Sequence, residues 1–303
     1  MKKNLIVILG PTASGKTSLA VRLAADLKGE VISADSRQVY RGMDIGTGKD
    51  LSEFQINGGV IPYHLIDILE PEMEFNVFEF QKQFYDIFNT LQMKDILPVL
   101  VGGTGLYLES VLTDYAMPQA QQDDCLREEL ADKSVGELQN MLLAMKPDLH
   151  NRTDLEDRDR LIRKIEIEKA RNNSSGKKRQ IPVIHAGIFG IHWERDVLRR
   201  RIAERLRQRM DEGMIEEVSR LHEQGLSWER LDSFGLEYRY IARYLKDEIA
   251  KDEMIAKLRI AIGQFAKRQM TWFRRMEKKG VPIEWIPAND YPALHRRVME
   301  ILS

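Results

Sequence analysis

The sequence has few of the features that mark secreted, membrane or zinc-binding proteins. Its 303 residues include one cysteine, Cys125, so no disulfide can form within the chain. No apolar run approaches the roughly 20 residues that cross a bilayer. The short apolar stretch after Lys2 and Lys3 runs into a glycine-rich motif instead of a cleavage site. The six histidines have no metal-ligand spacing. We therefore expect a cytoplasmic protein with no membrane association.

The chain also has almost no net charge, with 46 Lys and Arg against 47 Asp and Glu. Its basic residues are nevertheless clustered. Arginines crowd between Arg195 and Arg209, and a second cluster comprises Lys267, Arg268, Arg274, Arg275, Lys278 and Lys279. Such clusters can bind phosphate backbones, or they can be solvated helix faces balanced by nearby carboxylates. Charge alone does not decide between the two.

Strands alternate with helices in the N-terminal third, which predicts an α/β fold with a parallel sheet between two helical layers. The apolar runs predict strands at Leu5–Leu9, Glu30–Ala34, Tyr63–Ile68, Leu97–Val101 and Val183–Ile191. Helical spacing predicts helices over Thr17–Leu27 and Phe78–Leu91.

The chain becomes polar and poor in strand residues after Asp114. We expect an inserted helical module over residues 115–180, between the two parts of a core formed by residues 1–114 and 181–303. Its predicted helices lie near Asp123–Asp132, Val135–Met145 and Leu155–Arg171, before a loop at Asn172–Lys178. The remainder after Ile191 is predicted to be helical. Its two amphipathic stripes, one of which includes Gln269, are interpreted as core-facing surfaces.

One segment carries a complete phosphate-binding motif. It follows a predicted strand and opens a predicted helix, the context that makes the motif credible. Glycines let successive N–H groups converge on one anion, and the helix N-terminus adds partial positive charge. Lys16 would supply a full charge to a diphosphate, and Thr17 would offer a hydroxyl oxygen to Mg²⁺. The pattern G-x-x-x-x-G-K-[ST] is matched by Gly10, Pro11, Thr12, Ala13, Ser14, Gly15, Lys16 and Thr17.

The motif does not identify the reaction. Enzymes with such a loop commonly transfer a phosphoryl group and use an Asp at a strand end to hold Mg²⁺. The strand Leu97–Val101 ends in glycines instead, but Asp35 and Asp67 could serve. A kinase of a small metabolite and an RNA-binding ATPase therefore remain open interpretations of the residues.

Further blocks carry a resemblance to a known family. In order and spacing they resemble the tRNA dimethylallyltransferases, also called tRNA isopentenyltransferases, over nearly the whole chain. The blocks are Gly10–Thr17, Asp35–Tyr40, Gly42–Thr47, Tyr63–Asp67, Val101–Tyr107, Asp159–Arg163 and Ala266–Arg274.

The resemblance implies a phosphate loop that holds the diphosphate of dimethylallyl diphosphate, with Mg²⁺, while the organic group is transferred. The implied acceptor is N6 of the adenosine 3′-adjacent to the anticodon in tRNA, and diphosphate leaves. The inserted module would clamp the anticodon stem-loop, and we expect a monomer. A free adenine nucleotide is an alternative acceptor.

The resemblance also assigns roles to residues. Asp35 would accept the proton of the adenine amine, Lys16 and Thr17-bound Mg²⁺ would stabilise the leaving diphosphate, and Arg195 would reach it. Simpler roles stay open: a turn cap for Asp35, a surface position for Arg195, and a salt bridge to Glu166 for the arginines of the module. The implied tRNA contacts are Asp35, Ser36, Arg37, Gln38, Thr104, Arg127, Asp159, Arg160, Leu161, Ile162 and Arg163.

Two positions depart from the family's pattern. Glu237 stands where the pattern has Gly before Tyr238, and Gly263 stands where it has Arg. Both lie in regions expected to meet RNA, whereas the phosphate and base motifs are intact, so the departures bear on tRNA selection and not on the chemistry.

Overall fold

The computed structural model describes residues 3–56, 58–113, 123–145, 158–173 and 181–303. The chain forms two compact units. The larger is Met1–Tyr115 with Pro182–Ser303, and the smaller is Ala116–Ile181.

A six-stranded parallel sheet lies at the centre of the larger unit, in the order β5-β2-β6-β1-β7-β8. This confirms the predicted α/β fold. A separate antiparallel pair, β3 with β4, was not predicted. The strands are β1 Leu5–Leu9, β2 Glu30–Ala34, β3 Gln55–Ile56, β4 Gly59–Val60, β5 Tyr63–His64, β6 Pro98–Gly102, β7 Ala186–His192 and β8 Glu284–Pro287.

Two expectations about strands were wrong. The strand predicted over Tyr63–Ile68 ends at His64, because Leu65 and Asp67 adopt positive φ angles of 62° and 54°. The C-terminal part is not wholly helical, since β8 pairs with β7 at the edge of the sheet. This strand has four residues and no extended apolar run, so periodicity gives no signal for it.

Twelve α-helices are present in the described ranges. They are α1 Lys16–Leu27, α2 Val77–Met93, α3 Gly105–Leu112, α4 Asp124–Leu130, α5 Val135–Met145, α6 Arg158–Asn173, α7 Arg195–Asp211, α8 Met214–Glu223, α9 Trp228–Ser233, α10 Leu236–Leu245, α11 Lys251–Lys278 and α12 Tyr291–Leu302. A 3₁₀ turn covers Leu51–Phe54.

The central strands are buried on both faces, which explains their continuous apolar runs. Alternate residues of β1 point to opposite layers. Leu5, Val7 and Leu9 pack with α2, α3 and α11 on one face. The two intervening isoleucines pack with α1 and α12 on the other. A third apolar cluster joins α7 to α11.

The smaller unit has its own core of leucines and isoleucines from α4, α5 and α6. α6 begins at Arg158, and residues 155–157 of its predicted range lie outside the described residues. Asn172 and Asn173 belong to this helix instead of the predicted loop, whose residues 174–178 also lie outside the description. No helix in the described ranges is long and apolar enough to cross a membrane.

Candidate active site

The loop between β1 and α1 has the shape that its glycines predict. Gly15 is left-handed, with φ 82°. A Cβ atom on Gly10 would lie 2.8 Å from Ser14 Oγ and 2.9 Å from the carbonyl oxygen of Ile191, so a larger residue would force a shift. α1 begins at Lys16 without a side-chain cap, which leaves its first N–H groups for an anion. The buried Ser14 hydroxyl has no hydrogen-bond partner within the described residues.

A buried glutamine fixes this loop against the end of the neighbouring strand. Gln269 of α11 accepts a hydrogen bond from the backbone N–H of Thr12 at 2.8 Å. Its Nε2 donates to the carbonyl oxygen of Gly103, after β6, at 2.9 Å. A Cβ atom on Gly103 would overlap Nε2, so glycine is needed for this approach. One side chain therefore sets the spacing between the phosphate loop and the turn after β6.

The end of β2 lies at the same edge of the sheet, because β6 is hydrogen-bonded to both β1 and β2. Asp35 follows β2, and its Oδ1 accepts from the backbone N–H groups of Arg37 at 2.9 Å and Gln38 at 3.4 Å. Thr104 Oγ1 accepts from the N–H of Ser36 at 3.4 Å. In the part of the chain described here, Asp35 Oδ2 makes no hydrogen bond. Asp35 thus caps a turn with one oxygen and keeps the other available.

A cavity of about 570 Å³ opens beside the phosphate loop. Its walls are the loop and the start of α1, the segment Asp44–Glu53, and one face of α7. The charged lining residues are Lys16, Asp44, Lys49, Asp50, Glu53, Arg201, Glu204, Arg205, Arg209 and Glu212.

The surroundings of Lys16 disfavour the charged form of its ammonium group when no anion is bound. Burial, and next the neighbouring Arg205 guanidinium, lower the pKa of Lys16 to about 8, although Asp35 and Glu53 act in the opposite direction. A bound diphosphate would offset both causes and favour the charged form. The site is therefore arranged to receive an anion at Lys16.

Acidic groups occupy the facing wall. Asp50 forms an ion pair with Arg205. Burial, and then the Asp50 carboxylate, raise the pKa of Glu53. Thr17 lines the same cavity. No group of three or more His, Cys, Asp or Glu side chains suited to a metal ion exists among the described residues.

A buried lysine organises the segment that follows β2. The Lys49 side chain is 1% exposed, and its ammonium donates to the carbonyl oxygen of Tyr40 at 2.7 Å. It pairs with Asp44 at 2.6 Å and also with Asp67. Asp67 is thereby engaged by Lys49, and it is absent from the lining of the cavity.

A buried carboxylate holds the same segment from α8. Glu217 accepts hydrogen bonds from the backbone N–H groups of Asp44 at 2.8 Å, Ile45 at 2.7 Å and Gly46 at 3.0 Å. It also accepts from the Tyr238 hydroxyl at 2.8 Å. Glu217 therefore positions the wall of the cavity through the backbone.

Comparisons with known proteins agree with this geometry. The family described as IPP transferase matches residues 38–276, and that described as isopentenyl transferase matches residues 3–57. A relative from Syntrophus aciditrophicus, tRNA dimethylallyltransferase 1, is 54% identical over 98% of each chain. The chain belongs to the tRNA dimethylallyltransferase family.

Two further likenesses support the assignment. The tRNA dimethylallyltransferase 2 of Trichlorobacter lovleyi is 52% identical over 98% of this chain and 96% of its own length. The crystal structure of the tRNA isopentenylpyrophosphate transferase from Bacillus halodurans has a TM-score of 0.70 and 32% identity, covering 99% of this chain and 97% of that one. The resemblance inferred from the sequence blocks is confirmed.

Some of the site residues predicted from the sequence lie around the cavity or at the nearby strand ends, and others do not. The loop residues Ala13 to Thr17 line the cavity. Arg195 is exposed at the first residue of α7 and is absent from the lining. The Gln38 side chain accepts from Ser33 Oγ and donates to the carbonyl oxygen of Gly48, both within the protein. The roles of Arg195 and Gln38 stay predictions.

In the smaller unit, two of the expected tRNA-contacting arginines share one carboxylate. Arg127 Nε donates to Glu166 Oε1 at 2.7 Å, and Arg163 Nη1 donates to Oε2 at 2.9 Å. Leu161 and Ile162 are buried in the core of this unit, so their side chains do not face solvent. The side chains of Asp159 and Arg160 lie outside the described residues.

The sequence interpretation missed the residues that act from the C-terminal helices. Gln269 appeared only as part of an amphipathic stripe, although a polar residue on a buried stripe is itself a signal. The arginines of α7 that line the cavity follow a four-residue spacing, which puts them on one helix face. They are Arg201, Arg205 and Arg209.

Proposed function

We propose that this chain transfers the dimethylallyl group of dimethylallyl diphosphate to N6 of the adenosine 3′-adjacent to the anticodon in tRNA, releasing diphosphate. The observation that carries the proposal is a phosphate-binding loop and an available carboxylate oxygen, Asp35 Oδ2, at the ends of strands on one sheet edge. The choice of the two substrates is supported by full-length relatives that are named tRNA dimethylallyltransferase.

Asp35 would act as the general base. The adenine amine is a weak nucleophile because its lone pair is delocalised into the ring. As N6 bonds to the first carbon of the dimethylallyl group, its proton passes to Asp35. The carbon–oxygen bond breaks at the same carbon, and its electron pair stays on the diphosphate. The turn hydrogen bonds to Oδ1 would hold Oδ2 in orientation.

The phosphate loop would stabilise the leaving group. Negative charge builds on the diphosphate as the allylic bond breaks, so fixed donors there lower the barrier. Lys16, the Ser14 hydroxyl and the first N–H groups of α1 supply such donors. We infer that the loop has kept its anion-binding role while the organic group, not a phosphoryl group, is passed on.

We propose that the cavity binds Mg²⁺ through oxygen ligands. Thr17 would hold Mg²⁺, with the diphosphate supplying most remaining ligands. Burial and the Asp50 carboxylate raise the pKa of the Glu53 carboxyl in the same wall, and a cation bound there would lower it. When bound, the ion would neutralise part of the diphosphate charge.

We propose that residues 115–180 form an inserted module that binds the anticodon stem. Arg127 and Arg163 support this, since Glu166 fixes both guanidinium groups while their side chains remain 37% and 29% exposed. The target base must leave its stack to reach a catalytic carboxylate, and extrusion costs less in a loop than in a duplex. Thr104, Ser36 and Arg37 lie near Asp35, where an extruded adenine would arrive.

Phosphoryl transfer from ATP to a small metabolite is the second candidate. It needs a strand-end Asp for Mg²⁺; Asp67 is engaged by Lys49 and outside the cavity, which leaves Asp35 of the two candidates. A kinase would convert ATP to ADP with a metabolite acceptor and have no need of tRNA. An adenine-nucleotide prenyltransferase would accept AMP in place of tRNA, so parallel assays with tRNA and AMP separate these options.

The decisive variant is Asp35→Ala. We expect it to abolish prenyl transfer to unmodified tRNA while it binds inorganic pyrophosphate with wild-type affinity by calorimetry. Asp95→Ala, at an exposed turn after α2, is the control and should transfer normally. Full transfer activity in Asp35→Ala would remove Asp35 as the base.

A further inference from the structure

Arg209 is a buried cation that the roles above do not use. It lies near the end of α7 and is 8% exposed. Its Nε atom has no hydrogen-bond partner among the described residues, and no ion pair forms there. Arg205, one turn earlier, pairs with Asp50 instead. A buried guanidinium without a carboxylate partner is costly, so its retention calls for a reason.

The fold makes room for this guanidinium beside the cavity. Gly48 has φ 65°, and a Cβ atom there would overlap Arg209 Nη2. Arg209 lines the same cavity as Lys16 and Thr17. The glycine therefore lets the positive group pack against the backbone at the cavity wall, facing a volume large enough for a diphosphate ester.

The carboxylates near Arg209 do not fully offset the positive charge of its guanidinium group. Burial, followed by the Arg205 guanidinium, lowers the pKa of Arg209. Asp50 and Glu237 act in the opposite direction. Glu237 and Arg209 also border a small void of about 10 Å³ beside Thr12. Asp50 has the larger effect of the two but already pairs with Arg205, so Glu237, which departs from the family's pattern, is the other carboxylate that acts on Arg209.

The cavity is lined by five cationic side chains, of which two have a carboxylate partner. Lys49 and Arg205 have carboxylate partners. Lys16, Arg201 and Arg209 have none among the described residues. A diphosphate ester carries several negative charges, so these three groups match it. Arg201 and Lys16 also reach the phosphate loop, donating to the carbonyl oxygens of Ala13 at 3.0 Å and Pro11 at 3.4 Å.

We propose that Arg209 binds the diphosphate of the prenyl donor from α7, in the cavity that the phosphate loop also lines, and that Glu237 weakens this contact by competing for the guanidinium. The proposal rests on the proposed function for the identity of the ester. Its physical core, an anion contact at Arg209, holds for any diphosphate in the cavity.

The test is calorimetric binding of inorganic pyrophosphate in magnesium buffer. Arg209→Met keeps an unbranched side chain and removes the charge, and we expect affinity to fall about 10- to 100-fold. Arg207→Met, on an exposed face of the same helix, should bind as the wild type does. Arg209→Lys should recover part of the affinity. Glu237→Gln should bind roughly threefold tighter, because an anion then competes with less negative charge.

Thermal unfolding separates binding from structure. Without ligand, Arg209→Met should melt at or above the wild-type temperature, because it removes an unpaired buried charge. Saturating pyrophosphate should then raise its melting temperature less than it raises that of the wild type. A lower ligand-free melting temperature with unchanged pyrophosphate affinity would make Arg209 structural and overturn the proposal.

The failure of this proposal is distinguishable from the failure of the proposed function. Wild-type protein is assayed in parallel for prenyl transfer to tRNA. If it binds pyrophosphate through Arg209 but transfers no prenyl group, the contact stands and the proposed function falls. If it transfers the prenyl group and Arg209→Met binds normally, the function stands and the contact is refuted.

Discussion

Cationic side chains in the two units have opposite settings. In the smaller unit, Arg127 and Arg163 both pair with the buried Glu166. In the cavity of the larger unit, Lys16 and Arg209 lack any carboxylate partner in the described structure. The comparison teaches that a cluster of arginines in a sequence does not reveal its role, and that the partner does. Glu166 fixes two guanidinium groups that stay partly exposed, whereas the unpaired cations of the cavity have no carboxylate partner among the described residues to offset their charge, which favours an anionic ligand.

The largest effect should follow from removing the Lys16 charge beside the bound diphosphate. We expect Lys16→Ala to lower kcat/KM for prenyl transfer about 10³-fold, or about 4 kcal/mol of transition-state stabilisation, because the leaving diphosphate loses a full charge. Steady-state kinetics with tRNA measures this. Lys94→Ala, an exposed position after α2, should retain full activity, and a loss below tenfold at Lys16 would contradict the assignment.

Removing the shared carboxylate of the smaller unit should cost stability. Burial alone would raise the pKa of Glu166, but hydrogen bonds from Arg127, Arg163 and the Asp123 N–H outweigh it and lower the pKa. We expect Glu166→Gln to destabilise this unit by about 2–3 kcal/mol, less than a fully buried pair because both arginines are partly exposed.

Hydrogen exchange of α4 to α6 against α1 gives the readout for that variant. Glu129→Gln, which breaks only an exposed pair with Lys169, should change little. Because the folded pKa of Glu166 is depressed, its stabilisation is present above the unfolded value of about 4.3 and is lost as pH falls through the folded value. Unchanged exchange in Glu166→Gln would show that the pairing is incidental.

Substitution of Gln269 tests whether catalysis needs the phosphate loop to be held in place by the two hydrogen bonds of this side chain. Gln269→Ala removes both hydrogen bonds and leaves two backbone groups short of a partner. We expect a loss of about 1–3 kcal/mol of stability and roughly 10- to 100-fold in kcat/KM. Gln264→Ala, exposed on the same helix, is the matched control. Wild-type kinetics in Gln269→Ala would mean that the loop keeps its shape unaided.

The smallest effect should come from titrating Lys16. With a pKa of about 8, the ammonium is charged at pH 7 and mostly neutral at pH 9. Affinity for a diphosphate ester should therefore fall about tenfold over this range. The charge of the side chain in Lys16→Arg does not titrate between pH 7 and pH 9. This variant should therefore lose the part of the pH dependence of affinity that comes from Lys16. A wild-type affinity independent of pH would argue against a charged Lys16 in binding.

Local motifs were predictable because their geometry is local. The phosphate loop needs one strand, one turn and one helix start, and the spacing from Gly10 to Thr17 encodes all three. The position of Asp35 at the edge of the sheet was predictable because the ends of parallel strands meet there, while its role as a base stays a prediction. The chain order of strands and helices sufficed for the α/β fold.

Long-range partners were not predictable. Gln269 reaches Thr12 across 257 positions, and Glu217 reaches Asp44 across 173. The sequence around a buried polar side chain does not indicate which distant backbone group it will contact. The arginines of α7 show the same limit: the resemblance implied a ligand role only for Arg195, and the structure places Arg201, Arg205 and Arg209 in the cavity lining.

In the proposed reaction the phosphate loop holds the diphosphate while the organic group leaves it. The most direct measurement uses dimethylallyl diphosphate labelled with one isotope in the prenyl carbons and another in the phosphorus. With unmodified tRNA, we expect the carbon label in the adenosine 3′-adjacent to the anticodon and the phosphorus label in free diphosphate, in equal amounts. Phosphorus label in an acceptor, or no carbon label in RNA, would contradict the account.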